Sequence, residues 1–377
     1  MSQVRVIGIV GGGQLGRMLT LAAKQLGFHV VVMNPEGNSP AAQVGADEIV
    51  ADWYDGKKLA QLADAADVIT VEFEHLNADA LAAVEATGKP VHPAPSTVRL
   101  IQDKYEQKVF LNQHKIAIAP FVKVESLPEA RKALKKFKGK MLLKTRHGAY
   151  DGRGNALIRN TNDLKRAWVQ FQGKALYAEG FVPFSKELAV MVARGTDGKI
   201  KTYPIVETIH KRNICVEVRA PAVISIAARK KAENLAKKVA KQLKGAGVFG
   251  IEMFLATDGK VLVNEIAPRV HNSGHYTTEA THTSQFEQHI RAITGLPLGD
   301  TSMRVPAAVM INILGERNGE TVVTGLEAAL QLPQVSVHLY GKAPTKIDRK
   351  MGHITATGKN VTEARKRATL ARRRMGI

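Results

Sequence analysis

Cysteine is almost missing from this chain of 377 residues. A single thiol, Cys215, excludes an internal disulfide, so the fold must rest on buried apolar surface rather than covalent staples. Long hydrophobic runs are missing too. No stretch of about 18 uncharged apolar residues is present to span a membrane, and no basic-then-apolar leader with a small-residue cleavage site opens the chain. A cytoplasmic protein is the expectation. Acidic residues are also scarce: 54 lysines and arginines stand against 34 aspartates and glutamates, a formal net charge of +20. Such an excess attracts anions of many kinds. The basic residues are nevertheless spread over many segments, and ARKKAENLAKKVAKQLKG sets them at helical spacing among alanines, as on a solvated helix face. No nucleic-acid-binding motif accompanies the charge, so no dedicated nucleic-acid partner is expected. The length exceeds that of a usual single domain and points to two or three.

The stretch richest in chemical implication is VFGIEMFLATDGKVLVNEIAPRVHNSGH, residues 248–275. It reads as two β-runs joined by Asp258-Gly259, a strong hairpin signal. With only those two residues in the loop, Thr257 faces Lys260, Phe254 faces Val263 and Glu252 faces Glu265. Two carboxylates then share one face, roughly 5 Å apart at Cβ. Like charges so placed repel unless a cation lies between them or solvent screens them. Phe254, Leu255, Leu262 and Val263 argue against full solvation. A hard divalent ion, magnesium or manganese, fits such a pair, with water and phosphate oxygens completing its shell. Asn264 adds another oxygen. The plain alternative is a surface hairpin with two exposed glutamates.

The chain opens with VRVIGIVGGGQLGRMLTLAAKQLGFHVVVMNPE, a strand, a glycine turn, an amphipathic helix and a second strand, the start of a doubly wound parallel sheet. Alone, the glycine turn suggests dinucleotide binding. Against that, the second strand ends in Met33-Asn34-Pro35, where an acidic residue would be wanted for the ribose. In DVITVEFEHL, Glu72 and Glu74 alternate onto one face at the carboxyl end of a strand, where open α/β sheets bind ligands; helix capping is the competing role. VHPAPS, 91–96, marks a boundary.

Further on, MLLKTRHGAYDGRGNALI delivers Lys144 on a strand and then a glycine-punctuated turn from Gly148 to Gly154 that includes Arg153. Backbone amides and these cations can fold over phosphates, yet the turn lacks the glycine-lysine-serine ending and following helix of a Walker loop. ALYAEGFVPFSKELAVMVARG places Glu179 at the end of one strand and Glu187 at the start of the next. Phe181 and Val182 between them suit an apolar slot for a base. His210 is either a phosphate contact or an ordinary strand histidine. After the hairpin, Pro268 to His275 form a dense polar loop suited to an acceptor substrate. The tail from about 298 reads as short strands, then Lys342, Arg349 and Lys350, and a basic terminal helix.

Together GGGQLGRM, SPAAQV, EFEH, KTRHGAYDGRG, NEIAPRVHNSGH, HLYGK and RKMGHI resemble the ATP-grasp superfamily and, within it, the N5-carboxyaminoimidazole ribonucleotide synthetases of purine biosynthesis. The resemblance implies a mixed α/β and α+β fold in three parts: a doubly wound parallel sheet over 1–96, an ATP-grasp domain over 97–297 with a lid near 118–185, and a small C-terminal β-rich domain over 298–377. It implies carboxylation of the amine of 5-aminoimidazole ribonucleotide, using ATP and bicarbonate through carboxyphosphate, by a homodimer. ATP would be held by Lys104, Lys144, Gly148, Ala149, Tyr150, Asp151, Gly152, Arg153, Gly154, Glu179, Gly180, Phe181, Val182, Glu187 and His210, with Asn264 and Glu265. Glu252 and Glu265 would hold the metal. The ribonucleotide would meet Gln14, Leu15 and Glu74, with Lys342 and Arg349 on its phosphate. Tyr150, Asp151, Arg269, His271 and Asn272 would act in catalysis, His271 by moving a proton at the amine. Asn34, His75 and Val270 depart from the family pattern. Rival expectations are another ATP-grasp ligase, such as a formate-dependent glycinamide ribonucleotide transformylase, a basic nucleic-acid-binding protein, and an NAD-dependent oxidoreductase.

Overall fold

Strand Val6–Val10 is the hub of the N-terminal part. In the computed structural model, which describes residues 4–148 and 154–377, it is flanked by His29–Asn34 and Val68–Val71, both parallel to it. Asp47–Val50 and Val91–His92 complete the five-stranded sheet at its two edges. The chain winds outward in both directions from the hub, so a crevice opens beyond the carboxyl ends of Val6–Val10 and Val68–Val71. Gly11–Gly13 and Glu72–Glu74 stand there. Helix Gln14–Gln25 buries Leu15, Met18, Leu19, Ala22 and Ala23, the stripe of an amphipathic helix. The same core contains Phe286, Ile290 and Ile293 of helix Gln285–Thr294, which fastens this part to the centre of the molecule.

A four-stranded antiparallel sheet follows, in the order Phe121–Val124, Leu176–Gly180, Met141–Thr145, Asn155–Ile158. Helices Leu127–Lys136 and Thr161–Gln170 cover one face, packing Ala130, Ala133, Leu164 and Ala167 on Met141, Leu143 and Ala178. Strand alternation sends Leu142 and Lys144 the other way, into the main cleft.

The third sheet has nine strands. Phe184–Arg194, Val206–Lys211, Ile214–Ala220, Gly247–Ala256 and Val261–Ala267 form its central part, with the short Ile200–Thr202 paired to Phe184–Arg194, and Ala307–Leu314, Lys350–Gly358 and Val335–Leu339 prolong it. The join is a ladder from Glu217↔Ile311 to Ala220↔Ala308, so the C-terminal strands extend the central sheet. Helix Ile226–Gln242 lays Ala228, Ala232, Ala236, Val239 and Ala240 on Leu188, Val190, Phe249 and Ile251. Its Arg229, Lys230, Lys231, Lys237 and Lys238 are exposed, the solvated face that the spacing predicts. Among the described residues, no helix is long and apolar enough to cross a membrane.

The hairpin register needs one correction. Glu252 does face Glu265, but Phe254 faces Leu262 rather than Val263, and Ala256 rather than Thr257 bonds across to Lys260. The loop takes three residues, Thr257 to Gly259, with Gly259 left-handed at φ 78°. That slips the ladder by one. A β-bulge between Glu252 and Met253 on one side, with Asn264 as the extra residue on the other, restores it. The two departures from a two-residue loop cancel at the carboxylate pair.

Candidate active site

A cleft of about 900 Å3 lies where the three sheets meet. On its N-terminal wall the glycine turn is already filled by the protein itself. The Glu72 carboxylate accepts the Gly13 N–H at 2.6 Å and the Gly16 N–H at 2.5 Å, capping helix Gln14–Gln25. A Cβ on Gly11 would come within 2.3 Å of Glu72 Cγ, and one on Gly13 within 2.5 Å of its Oε1. These glycines therefore make room for a carboxylate of the same chain. The amides a dinucleotide's pyrophosphate would need are taken, which removes the physical basis of the NAD reading. Asn34, standing where an acid was wanted, accepts the Gly12 N–H at 3.2 Å and braces the same turn.

The nucleotide side is built from a helix and two sheets. Asp103 caps helix Lys104–Gln113 through the amides of Tyr105 and Glu106. Lys108, from this helix, and Lys144, from the four-stranded sheet, converge on fully buried Glu179 at 2.9 and 3.3 Å. Burial pushes the Glu179 carboxyl upward, but the two ammonium groups more than offset it and hold the group below its usual range. Lys104 pairs with Glu265. Burial opposes its charge, and Glu265 with Glu74 outweighs that, raising its pKa. His210 lies 2.5 Å from Glu187; burial opposes protonation, and the carboxylate beside it wins and raises the histidine. Phe181 is covered by the Lys140 ammonium, 3.5 Å from the ring centre. Glu187, His210, Phe181, Lys104 and Lys144 all line the cleft, whereas Glu179 stands behind the lysines. Gly180 donates its N–H to the Pro120 carbonyl, Val182 follows Phe181 half-buried, and Gly148 and Gly154 are left-handed turn residues. Ala149, Tyr150, Asp151, Gly152 and Arg153 lie outside the described residues.

Glu252 and Glu265 face each other at the centre. Burial, and next the Glu265 charge, push the Glu252 carboxyl up to about 7. The bulge turns Asn264 toward the cleft as well, giving a compact set of hard oxygen donors. Two carboxylates facing each other on a cleft wall, with an amide oxygen next to them, suit a divalent ion.

On the acceptor side Arg269 Nε donates to Glu74 Oε2 at 2.7 Å. Burial would raise the Glu74 carboxyl, yet Arg269 and then Lys104 bring it down to about 2. His271 is held neutral: burial, followed by the Arg269 charge, lowers it to about 3. Its Nδ1 lies 2.9 Å from the Ser273 hydroxyl and 3.4 Å from the Ser273 N–H, and its Nε2 lies 3.7 Å from Glu252. Val270, the departure that could loosen this loop, is fully buried in the core, and Gln285 clamps the loop by bonding both the N–H and the C=O of His271. Asn272 and Asn312 exchange amide hydrogen bonds of 3.0 and 2.6 Å. Lys342 reaches across to Gln14 and donates to the Lys350 carbonyl, while Arg349 donates to the Pro344 carbonyl at 2.6 Å. Gln14, Leu15, Glu74, Lys342 and Arg349 share the cleft wall.

The sequence reading missed Gln107, Lys108 as a Glu179 partner, and Asn312. Lys104, Gln107 and Lys108 carried a signal, three polar residues at helical spacing; Asn312, inside the apolar run VMINIL, carried none. Away from the cleft, Glu279, His338 and His353 hold possible ligand atoms within 4.8 Å of one another. The two imidazoles are stacked 4.5 Å apart at 14°. An ion in the plane of one such ring lies out of the plane of the other, so these residues form a polar seam, with His338 on Glu279 at 2.6 Å and His353 on the Tyr340 hydroxyl at 2.8 Å.

Family models match in three consecutive blocks. The ribonucleotide synthetase preATP-grasp domain covers 4–102, the ATP-grasp domain 109–286, and the C-terminal domain of phosphoribosylaminoimidazole carboxylase 308–367. The chain is 40% identical to the N5-carboxyaminoimidazole ribonucleotide synthase of Bacillus subtilis, across 93% of this chain and 90% of that one. It is 46% identical to the phosphoribosylaminoimidazole carboxylase of Ogataea methanolica, of whose length it spans 68%. Among solved structures, the N5-carboxyaminoimidazole ribonucleotide synthetase of Thermotoga maritima superposes with a TM-score of 0.90 at 43% identity, covering 99% of both chains. The Aspergillus clavatus enzyme, solved with ADP and 5-aminoimidazole ribonucleotide, does so with a TM-score of 0.90 at 36% identity and 98% coverage of both. With these likenesses running over nearly its whole length, the chain belongs to the N5-carboxyaminoimidazole ribonucleotide synthetase family of ATP-grasp enzymes.

Proposed function

We propose that this chain carboxylates the amine of 5-aminoimidazole ribonucleotide, using ATP and bicarbonate and releasing ADP and phosphate. The observation that carries the reading is the two-sided cleft. A lysine-rich nucleotide wall and an Arg269, Lys342, Arg349 acceptor wall meet at the Glu252–Glu265 pair. A bicarbonate oxygen attacks the γ-phosphorus, the bond to the bridging oxygen breaks, and ADP leaves. The amine nitrogen then attacks the carboxyl carbon of carboxyphosphate, and phosphate departs. Lys144 and Arg269 offset the negative charge that gathers during both steps. Glu252 and Glu265, with Asn264 beside them, would hold magnesium or manganese, which when bound neutralises phosphate charge.

The proton released from the amine needs a base. Glu74, held at about 2, and His271, held at about 3, are too weak to accept it efficiently near neutral pH. The departing phosphate is the stronger base at that carbon and takes the proton. His271, neutral and on the cleft wall, is suited to donate to an anionic oxygen rather than to take the amine proton. We propose that it works as a homodimer, which light scattering on the purified protein checks.

Phosphate release is expected to require both bicarbonate and 5-aminoimidazole ribonucleotide. Activity with formate and glycinamide ribonucleotide instead would overturn the assignment. Glu265→Gln is expected to abolish ATP cleavage while leaving the circular dichroism spectrum unchanged, and near-normal turnover would refute the metal-site reading.

A further inference from the structure

The buried face of helix Lys104–Gln113 consists of Lys104, Gln107, Lys108 and Leu111. The first three stand side by side at helical spacing. Each takes one of three consecutive residues in the bulged part of strand Val261–Ala267. Lys108 Nζ donates to the Asn264 carbonyl at 3.0 Å, Lys104 meets the Glu265 carboxylate, and Gln107 Oε1 accepts the Ile266 N–H at 3.1 Å.

This strand is an edge of the nine-stranded sheet, so some of its amides point away from any strand partner. The Val263 N–H goes to the Ala117 carbonyl at 2.8 Å. The Ile266 N–H has Gln107. Because a backbone N–H must meet an oxygen, the Gln107 amide has one orientation, and its Nε2 is buried with no hydrogen-bond partner among the described residues. Burying an amide with an unmet donor is unfavourable, so the acceptor has a use that an apolar side chain of equal length would not serve. Beyond the bridge at Val263, no strand among the described residues covers this outer edge, and helix Lys104–Gln113 holds it instead. Fixing Ile266 sets the direction in which Glu265, one residue earlier, leaves the strand.

We infer that Gln107 is a positioning residue for the metal clamp, acting through the Ile266 amide to aim the Glu265 carboxylate at the ion. The inference rests on the reading of Glu252 and Glu265 as metal ligands. The test measures Mn2+ binding in the presence of ADP by electron paramagnetic resonance, on the full chain, with Gln107→Met, Gln107→Glu and Glu265→Gln beside the wild type. Gln107→Met keeps the length and loses the acceptor, and Gln107→Glu keeps the acceptor. Gln107→Met is expected to weaken Mn2+ binding by about 10-fold, the effect of removing a group that orients a ligand, and Gln107→Glu to restore most of it. Wild-type Mn2+ binding by Gln107→Met, beside a weakened Glu265→Gln, would overturn the positioning role alone. So would equal weakening in Gln107→Met and Gln107→Glu. Undiminished binding by Glu265→Gln would overturn the clamp itself, and the inference with it.

Discussion

Glu74→Gln offers a sharp test of the electrostatics at the acceptor wall. Glu74 is 8% exposed and pairs with Arg269, whose side chain is 16% exposed. Its carboxyl falls from an ordinary 4.5 to about 2. A depression of that size corresponds to about 3 kcal/mol of stability. For a carboxyl whose folded value is depressed, the contribution is complete above the unfolded value and disappears as pH falls through the folded one. At pH 7 the glutamine variant is therefore expected to be less stable than the wild type, and the gap should shrink by about 3 kcal/mol between pH 6 and pH 2. Glutamine mimics the protonated carboxyl, so the two proteins converge as pH falls through the folded value. Urea unfolding at several pH values can be followed through Trp53, which packs edge-on against Phe73 at 4.6 Å between ring centres. A Trp168→Phe background silences the chain's other tryptophan. A gap independent of pH would mean that Arg269 holds the carboxylate no better than water does in the unfolded chain.

Three further outcomes are expected. Glu252 titrates at about 7, raised by burial and by Glu265, and its proton must leave before an ion binds; Mn2+ affinity with ADP should fall by roughly tenfold per pH unit below that point and level off above it. A flat profile from pH 5.5 to pH 8, measured by paramagnetic resonance, would contradict this. Lys342→Ala should weaken the ribonucleotide more than ATP in calorimetric titrations, because Lys342 stands on the acceptor wall beside Gln14; equal losses would place the phosphate grip elsewhere. Glu72→Ala should leave the Gly13 and Gly16 amides without acceptors and cost about 3 kcal/mol, read as a lowered thermal midpoint, and an unchanged midpoint would show that water replaces the carboxylate freely.

What could be read from the chain and what could not divide along a physical line. Glu252 and Glu265 were legible because strand alternation and a turn signal are local, and the pairing survived only because a three-residue loop and a bulge shift the ladder in opposite senses. Neither shift has a strong local signature, since Asp-Gly serves two- and three-residue loops alike and an asparagine does not announce a bulge. The glycine turn was legible as a turn, but its ligand was not. Only folding brings Glu72 to Gly13 and Gly16, and a carboxylate at a helix N-terminus satisfies the same amides a phosphate would. The same limit hid the work of Gln107 and Asn312: the first acts on a backbone amide 159 positions away, the second on a side chain 40 positions away. Side chains that touch the reactants belong to short patterns whose chemistry shows in residue type and spacing. Those that hold them in place act through partners that no local pattern names, and the structure reveals them as buried polar side chains bonded to groups far along the chain.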